Sequence, residues 1–461
     1  MLSPSAIEFF THLLGKENVY SDKAHLIAYS YDATRERFEP DAVLFPRHEQ
    51  DVSDILKYCN EHRIVIVPRG AGSGFTGGAL PAHGGIVLAF EKHMNKILEI
   101  DMQNMVAVVQ PGVINKELQR AVEEVGLFYP PDPASQEYST IGGNVNENAG
   151  GMRAAKYGIT KDYVMAIRAV LPNGDVIKAG KRTIKDVAGY NIAGILIASE
   201  GTLAVTTEVT LKLLSKPKMT KTAMGIFPTV KDAMEAVYKT MASGVTPVAM
   251  EFLDNLTIRA VEQVYSKGLP VEAGAILVTD VDGNLEEDLD FQLGVIERVF
   301  RENGCSDFRI AQNQQEASDL WFARRNASQS LSVYGSKKLN EDVTVPRSAL
   351  PELLEKFYAI ADKYGIKIPC FGHTGDGNVH TNVMVDGKDP EQVKIGYKAI
   401  EEVFQATIDL GGTLSGEHGI GLAKAPYMHM AFTPEEMALF QSIKRAFDPN
   451  NILNPAKMGL E

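Results

Sequence analysis

Cysteine is scarce in this chain: Cys59, Cys305 and Cys370 are the three in 461 residues, far apart and with no C-x-x-C pair. Structural disulfides and cysteine-bound zinc or iron–sulfur clusters are therefore not expected, and a reducing compartment fits. Positive charge is short as well. The net charge of −13 argues against a nucleic-acid partner, which needs a basic face. No apolar run approaches the ~18 residues that span a bilayer. The opening residues, Met1 to Phe10, lack the basic flank and long apolar stretch of a signal peptide. The expectation is a cytoplasmic protein, attached to the inner membrane, if at all, through a partner. With 44% hydrophobic and 23% charged residues the composition is that of a globular protein, and the length calls for two or three domains.

Glycine is plentiful in one place. The run Pro68-Arg69-Gly70-Ala71-Gly72-Ser73-Gly74-Phe75-Thr76-Gly77-Gly78 follows the β-branched Ile64-Val65-Ile66-Val67. A backbone this rich in glycine can take positive φ at several positions and turn successive N–H groups around an anion such as a diphosphate. Gly72, Gly74 and Gly77 match the dinucleotide spacing G-x-G-x-x-G, yet no helix is expected after them, because Pro81, Gly84 and Gly85 intervene before a strand at 86–90. No Gly-Lys-Ser/Thr follows either. The stretch therefore reads as a strand-loop-strand nest, distinct from a Rossmann turn or a P-loop, with a mobile surface loop as the plainer alternative.

Upstream, residues 1–40 read as a helix and an irregular segment. Residues 42–46 read as a strand, 51–62 as a helix apolar at 52, 55, 56 and 59, and 64–67 as a strand, an α/β order that leads into the glycine loop. Downstream come a strand at 105–109, a helix at 116–124, and a second dense stretch from Pro130 to Gly151. That stretch is expected to be an ordered functional loop without regular structure, whose Asn and Gln side chains suit the edges of a heteroaromatic ring. Between two apolar runs, Glu200-Gly201-Thr202 asks for a ligand. Signature loops stop near Lys216-Pro217-Lys218, where the domain boundary is placed. Beyond it, helices are expected at 231–242, 287–303 and 351–364 and strands at 246–252, 274–279 and 342–346, an α+β domain of helices on an antiparallel sheet. If the segment 321–328 is helical, Arg324 and Ser328 share a face and can hold a carboxylate; a solvated helix face is the alternative for the pair Arg324-Arg325.

The sharpest chemistry lies at His373-Thr-Gly-Asp-Gly-Asn-Val-His380, followed by Asn382 and, about 35 residues on, Ser415-Gly-Glu417-His418-Gly-Ile-Gly421. The turn at 374–377 lets His373 and His380 converge, and with Glu417 they can make a three-ligand site for Zn²⁺ or a similar divalent ion, histidines that cap or hydrogen-bond the turns being the plainer alternative. If Glu417 binds the metal, His418 points elsewhere, and its ordinary pKa of ~6.5 suits a general base.

Six ordered motifs carry a resemblance: PRGAGSGFTGG at 68–78, DPAS and STIGGNVNENAGG within 132–151, ASEGTLAVTTEVTLKL at 198–213, GHTGDGNVH at 372–380, SGEHGIG at 415–421 and ILNPAK at 452–457. They resemble the FAD-linked oxidases of the vanillyl-alcohol oxidase superfamily, in the group of glycolate oxidase catalytic subunits, D-lactate dehydrogenases and D-2-hydroxyglutarate dehydrogenases. The resemblance implies an α+β fold with a two-lobed PCMH-type FAD domain (1–217), an α+β cap domain for the substrate (218–410) and a C-terminal segment returning to the FAD domain (411–461).

It also implies roles. Pro68, Arg69, Gly70, Ala71, Gly72, Ser73, Gly74, Gly77 and Gly78 would grip the FAD pyrophosphate. Pro133, Ser135, Thr140, Gly142, Gly143, Asn148, Gly150 and Gly151 would line the rest together with Glu200, Gly201 and Val205, and Asn454 would approach the flavin. His373, His380 and Glu417 match metal ligands, His418 the catalytic base, and Arg324 and Asn382 substrate contacts. Ser328 stands where some relatives have Thr, and a lysine some relatives use has no counterpart at equal spacing: Asn340 stands there, with Lys338 two residues away. Noncovalent FAD is expected, since the loop lacks the superfamily's covalent flavin histidine. The implied reaction is oxidation of a small 2-hydroxy acid, glycolate or D-lactate, to the 2-oxo acid. Electrons would go to an acceptor other than NAD: quinone, a cytochrome or an iron–sulfur partner subunit. The rivals are a D-2-hydroxyglutarate-type dehydrogenase, a non-redox flavin-dependent synthase and a metal-dependent hydrolase.

Overall fold

A computed structural model describes residues 2–460, and the chain divides into two compact units. One comprises Met1–Gly150, Ile159–Lys216 and Glu417–Glu461; the other comprises Gly151–Gly158 and Pro217–Gly416.

The first unit carries two main sheets. Ala42–Leu44, Ile86–Ala89 and Ile66–Arg69 lie parallel in that order, with Val19–Tyr20 added antiparallel at the edge. The helix Glu49–His62 buries Val52, Ile55, Leu56 and Cys59, the face its apolar spacing predicts, and packs with Phe10 and Leu14 of the helix Pro4–Leu14 on Leu44, Ile66 and Leu88. Each fully buried aliphatic side chain there contributes about 1.5–3 kcal/mol. The second sheet is antiparallel, in the order Ile97–Asp101, Val106–Val109, Val205–Lys212, Val164–Val170, Val176–Gly180.

Between Ile66–Arg69 and Ile86–Ala89 the glycine loop crosses over without a helix, as its prolines and glycines imply. The expected strand at 64–67 is shifted two residues along the chain, which brings Pro68 and Arg69 into the ladder. One expectation needs correction: the stretch 130–151 is not irregular throughout. Ile141–Glu147 is helical, started by Thr140, whose Oγ1 accepts from Gly143 N at 3.2 Å, and ended by Asn148 at φ 53°. Capping at both ends outweighs the poor intrinsic helix propensity of Gly142 and Gly143.

The second unit is built on one seven-stranded antiparallel sheet. Its order is Asp307–Ile310, Met219–Phe227, Ala275–Gly283, Ala249–Asp254, Cys370–His373, Asn378–Val385, Lys337–Thr344. The expected strand at 342–346 begins earlier, at Lys337, and ends at Thr344. Helices Asn255–Tyr265 and Phe322–Ser330 cover one sheet face, packing Ile258, Val261, Ala323 and Ala327 on Met224, Leu253, Val278 and Phe371. Small residues on the inner side of Phe322–Ser330 set the spacing, and Ala327→Leu would overpack it by about 1–3 kcal/mol. The short segment Gly151–Gly158 is tied to this sheet by an ion pair of Lys156 with Asp282 and by Tyr157 Oη, which donates to Asp282 Oδ2 at 2.7 Å.

Candidate functional site

A cavity in the first unit is walled by the glycine loop and the 133–150 stretch. Of the residues expected to hold a cofactor, Pro68, Arg69, Gly70, Ala71, Gly72, Ser73, Gly74, Gly78, Pro133, Ser135, Thr140, Gly142, Gly143, Gly150, Glu200 and Gly201 line it; Gly77, Asn148, Gly151, Val205 and Asn454 do not. Close approach explains two of the glycines. Gly72 sits at φ 66°, and a Cβ there would stand 2.1 Å from the Arg69 guanidinium; a Cβ on Gly142 would stand 2.6 Å from Pro111. A Cβ on Gly74 would meet no atom within 4 Å, so at this point the bare backbone faces the cavity. A wall made of peptide groups rather than side chains fits a diphosphate-bearing cofactor. Arg69 braces the wall: its Nη2 donates to Tyr31 O at 2.8 Å.

The returning segment Glu417–Glu461 closes this cavity. Leu422 N donates to Thr76 O at 2.7 Å, Thr76 Oγ1 donates to His418 O at 3.1 Å, and the Phe75 and His418 rings lie 5.2 Å apart. Glu417 and His418 both line the cavity. Glu200, at φ 51°, accepts from Ile420 N and Gly421 N at 2.7 Å each, so its carboxylate fastens the chain's own backbone. Asn454 Nδ2 donates to Gly78 O at 2.9 Å and Glu200 O at 2.6 Å. Beside Glu200 is a second buried acid, Glu147. Burial, then the Glu200 charge, pushes its carboxyl well above the ordinary range. The Glu200 carboxyl is raised too, by burial, against the pull of the two N–H groups, Lys457 and Lys424.

In the second unit the expected residues share the helix-covered sheet face. Glu251 pairs with His373 across neighbouring strands, Phe371 with His380, Asp342 with His380, and Asn340 with Asn382, so their side chains emerge on one side. His373 and His380 are buried, with their Nε2 atoms 3.2 Å apart. Two nitrogens about 2.0–2.1 Å from one tetrahedral ion would be ~3.3 Å apart, so the pair fits a shared cation. Asn382 Nδ2 donates to Pro369 O and His380 O, at 3.2 and 3.1 Å, while its Oδ1 is buried without a partner among the described residues. Arg324, on the helix Phe322–Ser330, donates from Nε to Glu251 Oε2 at 2.6 Å and stacks over Phe371 with its guanidinium carbon 4.9 Å from the ring centroid. Ser328, one turn on, has its Oγ 2.6 Å from the Nζ of Lys338, which donates to it.

The sequence reading gives no role to Glu251 or to Glu147 of the first unit, and it sets Lys338 aside. Glu251 is completely buried and holds His373 Nδ1 at 2.6 Å through Oε1 while holding Arg324 through Oε2. Burial alone would raise its carboxyl; His373 and Arg324 bring it below the ordinary value. One signal was available: it is the lone charge inside the apolar run Val248-Ala-Met-Glu-Phe-Leu253. Glu147 is hidden among loop residues, and Lys338 looks two positions out of place until the side chain's reach is counted.

A glycine-walled cavity in one unit and an antiparallel sheet under helices in the other define a PCMH-type FAD-binding fold joined to an α+β domain. Residues 40–180 match a FAD binding domain, and residues 216–458 match the FAD linked oxidases, C-terminal domain. The chain is 43% identical over 459 residues to the glycolate oxidase subunit GlcD of Bacillus subtilis (strain 168), covering 99% of this chain and 97% of the relative. It is 34% identical over 470 residues to the D-lactate dehydrogenase of Anaerostipes hadrus, covering 99% and 98%. The solved p-cresol methylhydroxylase with substrate bound shares the fold at TM-score 0.81 and 22% identity, over 99% of this chain and 96% of that one. The chain belongs to the FAD-linked oxidases and is an FAD-linked oxidoreductase. No helix of the described residues is long and apolar enough to cross a membrane.

Proposed function

We propose that this protein oxidises a small 2-hydroxy acid, glycolate or D-lactate, to the 2-oxo acid with the help of a divalent cation. The observation that carries the reading is the pairing, on one sheet face, of a guanidinium with two facing imidazole nitrogens through one buried carboxylate. That is a carboxylate anchor beside a cation site. The names of the relatives, a glycolate oxidase subunit and a D-lactate dehydrogenase, support the substrate class.

In this reading the glycine loop, the 132–151 stretch with its Asn148 and Gly151, and Glu200, Gly201, Val205 and Asn454 hold noncovalent FAD. FAD supplies a two-electron acceptor that takes the α-hydrogen with its electron pair. His373, His380 and Glu417, which follows Gly416 directly in the chain, hold the cation, of which Zn²⁺ suits the donor set. The cation supplies positive charge that lowers the pKa of the substrate hydroxyl. Arg324 binds the substrate carboxylate through its Nη groups, since Nε is committed to Glu251. Asn382, whose Oδ1 is buried without a protein partner among the described residues, contacts the substrate beside the cation, and the single hydrogen of the substrate hydroxyl is left to His418. His418 takes the hydroxyl proton on an imidazole nitrogen. Electrons leave to a quinone, a cytochrome or an iron–sulfur partner subunit; that the Bacillus subtilis relative is named a subunit favours a partner.

One observation favours a second reading, a 2-hydroxy acid with a second carboxylate: Lys338 brings a cation to Ser328, one helical turn from Arg324. Anaerobic bleaching of the ~450 nm flavin band tests both. Glycolate, D-lactate, L-lactate and D-2-hydroxyglutarate are added before and after chelation. Bleaching by glycolate or D-lactate that chelation abolishes is the expected result. A flavin that no 2-hydroxy acid reduces overturns the substrate class, and bleaching indifferent to chelation removes the cation.

A further inference from the structure

Glu251 is the one acid of the strand Ala249–Asp254 that lies between two other strands with no solvent exposure at all, flanked by Met250 and Phe252. A carboxylate in such a place persists only if both oxygens are paired. Both are, and each with a different functional group: Oε1 with His373 Nδ1 and Oε2 with Arg324 Nε, at 2.6 Å each.

The consequences are geometric. A carboxylate only accepts, so the hydrogen of the neutral His373 ring stands on Nδ1 and the lone pair on Nε2, the atom turned toward His380 Nε2. A histidine that binds a cation through one nitrogen and a carboxylate through the other has its ring orientation fixed and its basicity raised. On the other side, engaging Arg324 at Nε and stacking it on Phe371 leaves the Nη edge of the guanidinium as the face that a second carboxylate can meet end-on. An ion pair serving only to fasten the helix Phe322–Ser330 to the sheet would need Arg324 alone, whereas Glu251 also reaches the histidine.

We propose that Glu251 is a positioning residue that sets the tautomer of His373 and the orientation of Arg324 together, so that the cation site and the substrate anchor depend on one carboxylate. This rests on the reading of His373 as a cation ligand.

The test uses the FAD-loaded protein and Co²⁺ as the probe, read by the visible absorption of the bound ion, beside the KM and kcat for whichever 2-hydroxy acid reduces the flavin. Glu251→Gln keeps the size but places an amide N–H₂ against either Arg324 Nε–H or His373 Nδ1–H. Relief at the histidine moves its hydrogen to Nε2, the ligating atom. Expected are a 10- to 100-fold loss of Co²⁺ affinity and a rise in KM at least as large as any fall in kcat, with the flavin spectrum unchanged. Glu251→Asp keeps the charge but, one methylene shorter, cannot reach both partners, so the hold on His373 loosens and a smaller Co²⁺ loss, of at least threefold, is expected of it; it decides the matter if the glutamine variant does not fold. Co²⁺ affinity within twofold of wild type in a folded variant, whatever its melting temperature, overturns the proposal and leaves the cation reading intact. A wild-type protein that takes no Co²⁺ overturns both.

Discussion

Glu251 in the second unit and Glu200 in the first are both buried glutamates whose oxygens are all engaged, yet their carboxyls move in opposite directions. Glu251 is held below the ordinary value by an imidazole and a guanidinium at 2.6 Å; Glu200, fastened to two backbone N–H groups at 2.7 Å, is raised by burial, and so is its neighbour Glu147. Burial pushes every carboxyl up, and at Glu200 two backbone N–H groups together with Lys457 and Lys424 do not offset it, whereas at Glu251 the imidazole and guanidinium in direct contact do. The two regions are therefore built on different electrostatic plans. The cavity of the first unit is walled by peptide groups, the Arg69 guanidinium and acids that resist ionisation, which suits an anionic diphosphate. The sheet face of the second unit is made of fixed charges in contact, which suits a small anion and a cation.

If that division is right, substitutions on the two sides separate in kinetics. His418→Ala, on the cavity side, is expected to lower kcat by about 10²- to 10⁴-fold, the usual worth of a general base, with KM within a few-fold. A loss under tenfold removes His418 from the reaction. Arg324→Lys keeps the charge but cannot serve Glu251 and a substrate carboxylate in the same planar geometry, so KM should rise by about 10²-fold with a smaller change in kcat. Equal effects of the two variants on kcat would erase the distinction. Steady-state kinetics with a dye acceptor reads both.

A third acid shows what pH does to such sites. Asp254 begins the helix Asn255–Tyr265, accepting from Thr257 N at 2.8 Å and from Cys370 N at 2.9 Å, and burial raises its carboxyl to about 6. Its unfolded value is ~3.9, so the folded state binds the proton more tightly. The group's stabilisation is complete below pH ~4 and is lost as pH rises through about 6, by roughly 2–3 kcal/mol, after which it is flat. Glu251 works the other way: its contribution is present above ~4.3 and lost as pH falls through its lower folded value. Asp254→Asn should therefore flatten the melting-temperature profile between pH 4 and 6. A variant with the wild-type slope there would assign the titration to other acids.

The sequence made the parts with local signals legible. The glycine loop, the absence of a helix after it, the convergence of His373 and His380 across a four-residue turn, and the helical pairing of Arg324 with Ser328 all follow from spacing within a few residues. The antiparallel sheet of the second half was readable from alternating helices and strands. What stayed hidden depends on contacts made across long stretches of chain. Glu251 lies more than 120 residues before His373, and nothing local says that strands 249–254 and 370–373 are neighbours. The helix at 141–147 was missed because its glycines argue against it while its two caps, worth about 1 kcal/mol each, argue for it. Glu200 was marked by its polarity correctly, but its oxygens meet the backbone of residues 420–421, far along the chain.

The smallest expected effect is also the closest comparison, between the two adjacent acids of the cavity. Glu200 uses both oxygens as acceptors, so Glu200→Gln puts an amide N–H₂ against one backbone N–H and should cost about 1–3 kcal/mol. Glu147 has a buried Oε2 with no partner among the described residues, and its ionised form is opposed by Glu200 and Asp32. Glu147→Gln exchanges a neutral acid for a neutral amide of the same shape, so its melting temperature should stay within a degree or two of wild type, or rise at high pH where the acid would be driven to ionise. Melting of the two FAD-loaded variants at pH 6 and 8 reads the difference. Because protonated carboxyls are stabilising only while the proton stays, Glu147→Gln should gain on wild type as pH rises. If it loses instead, Glu147 is ionised in the folded protein, and the cavity's acids do not resist ionisation as the contrast with Glu251 requires.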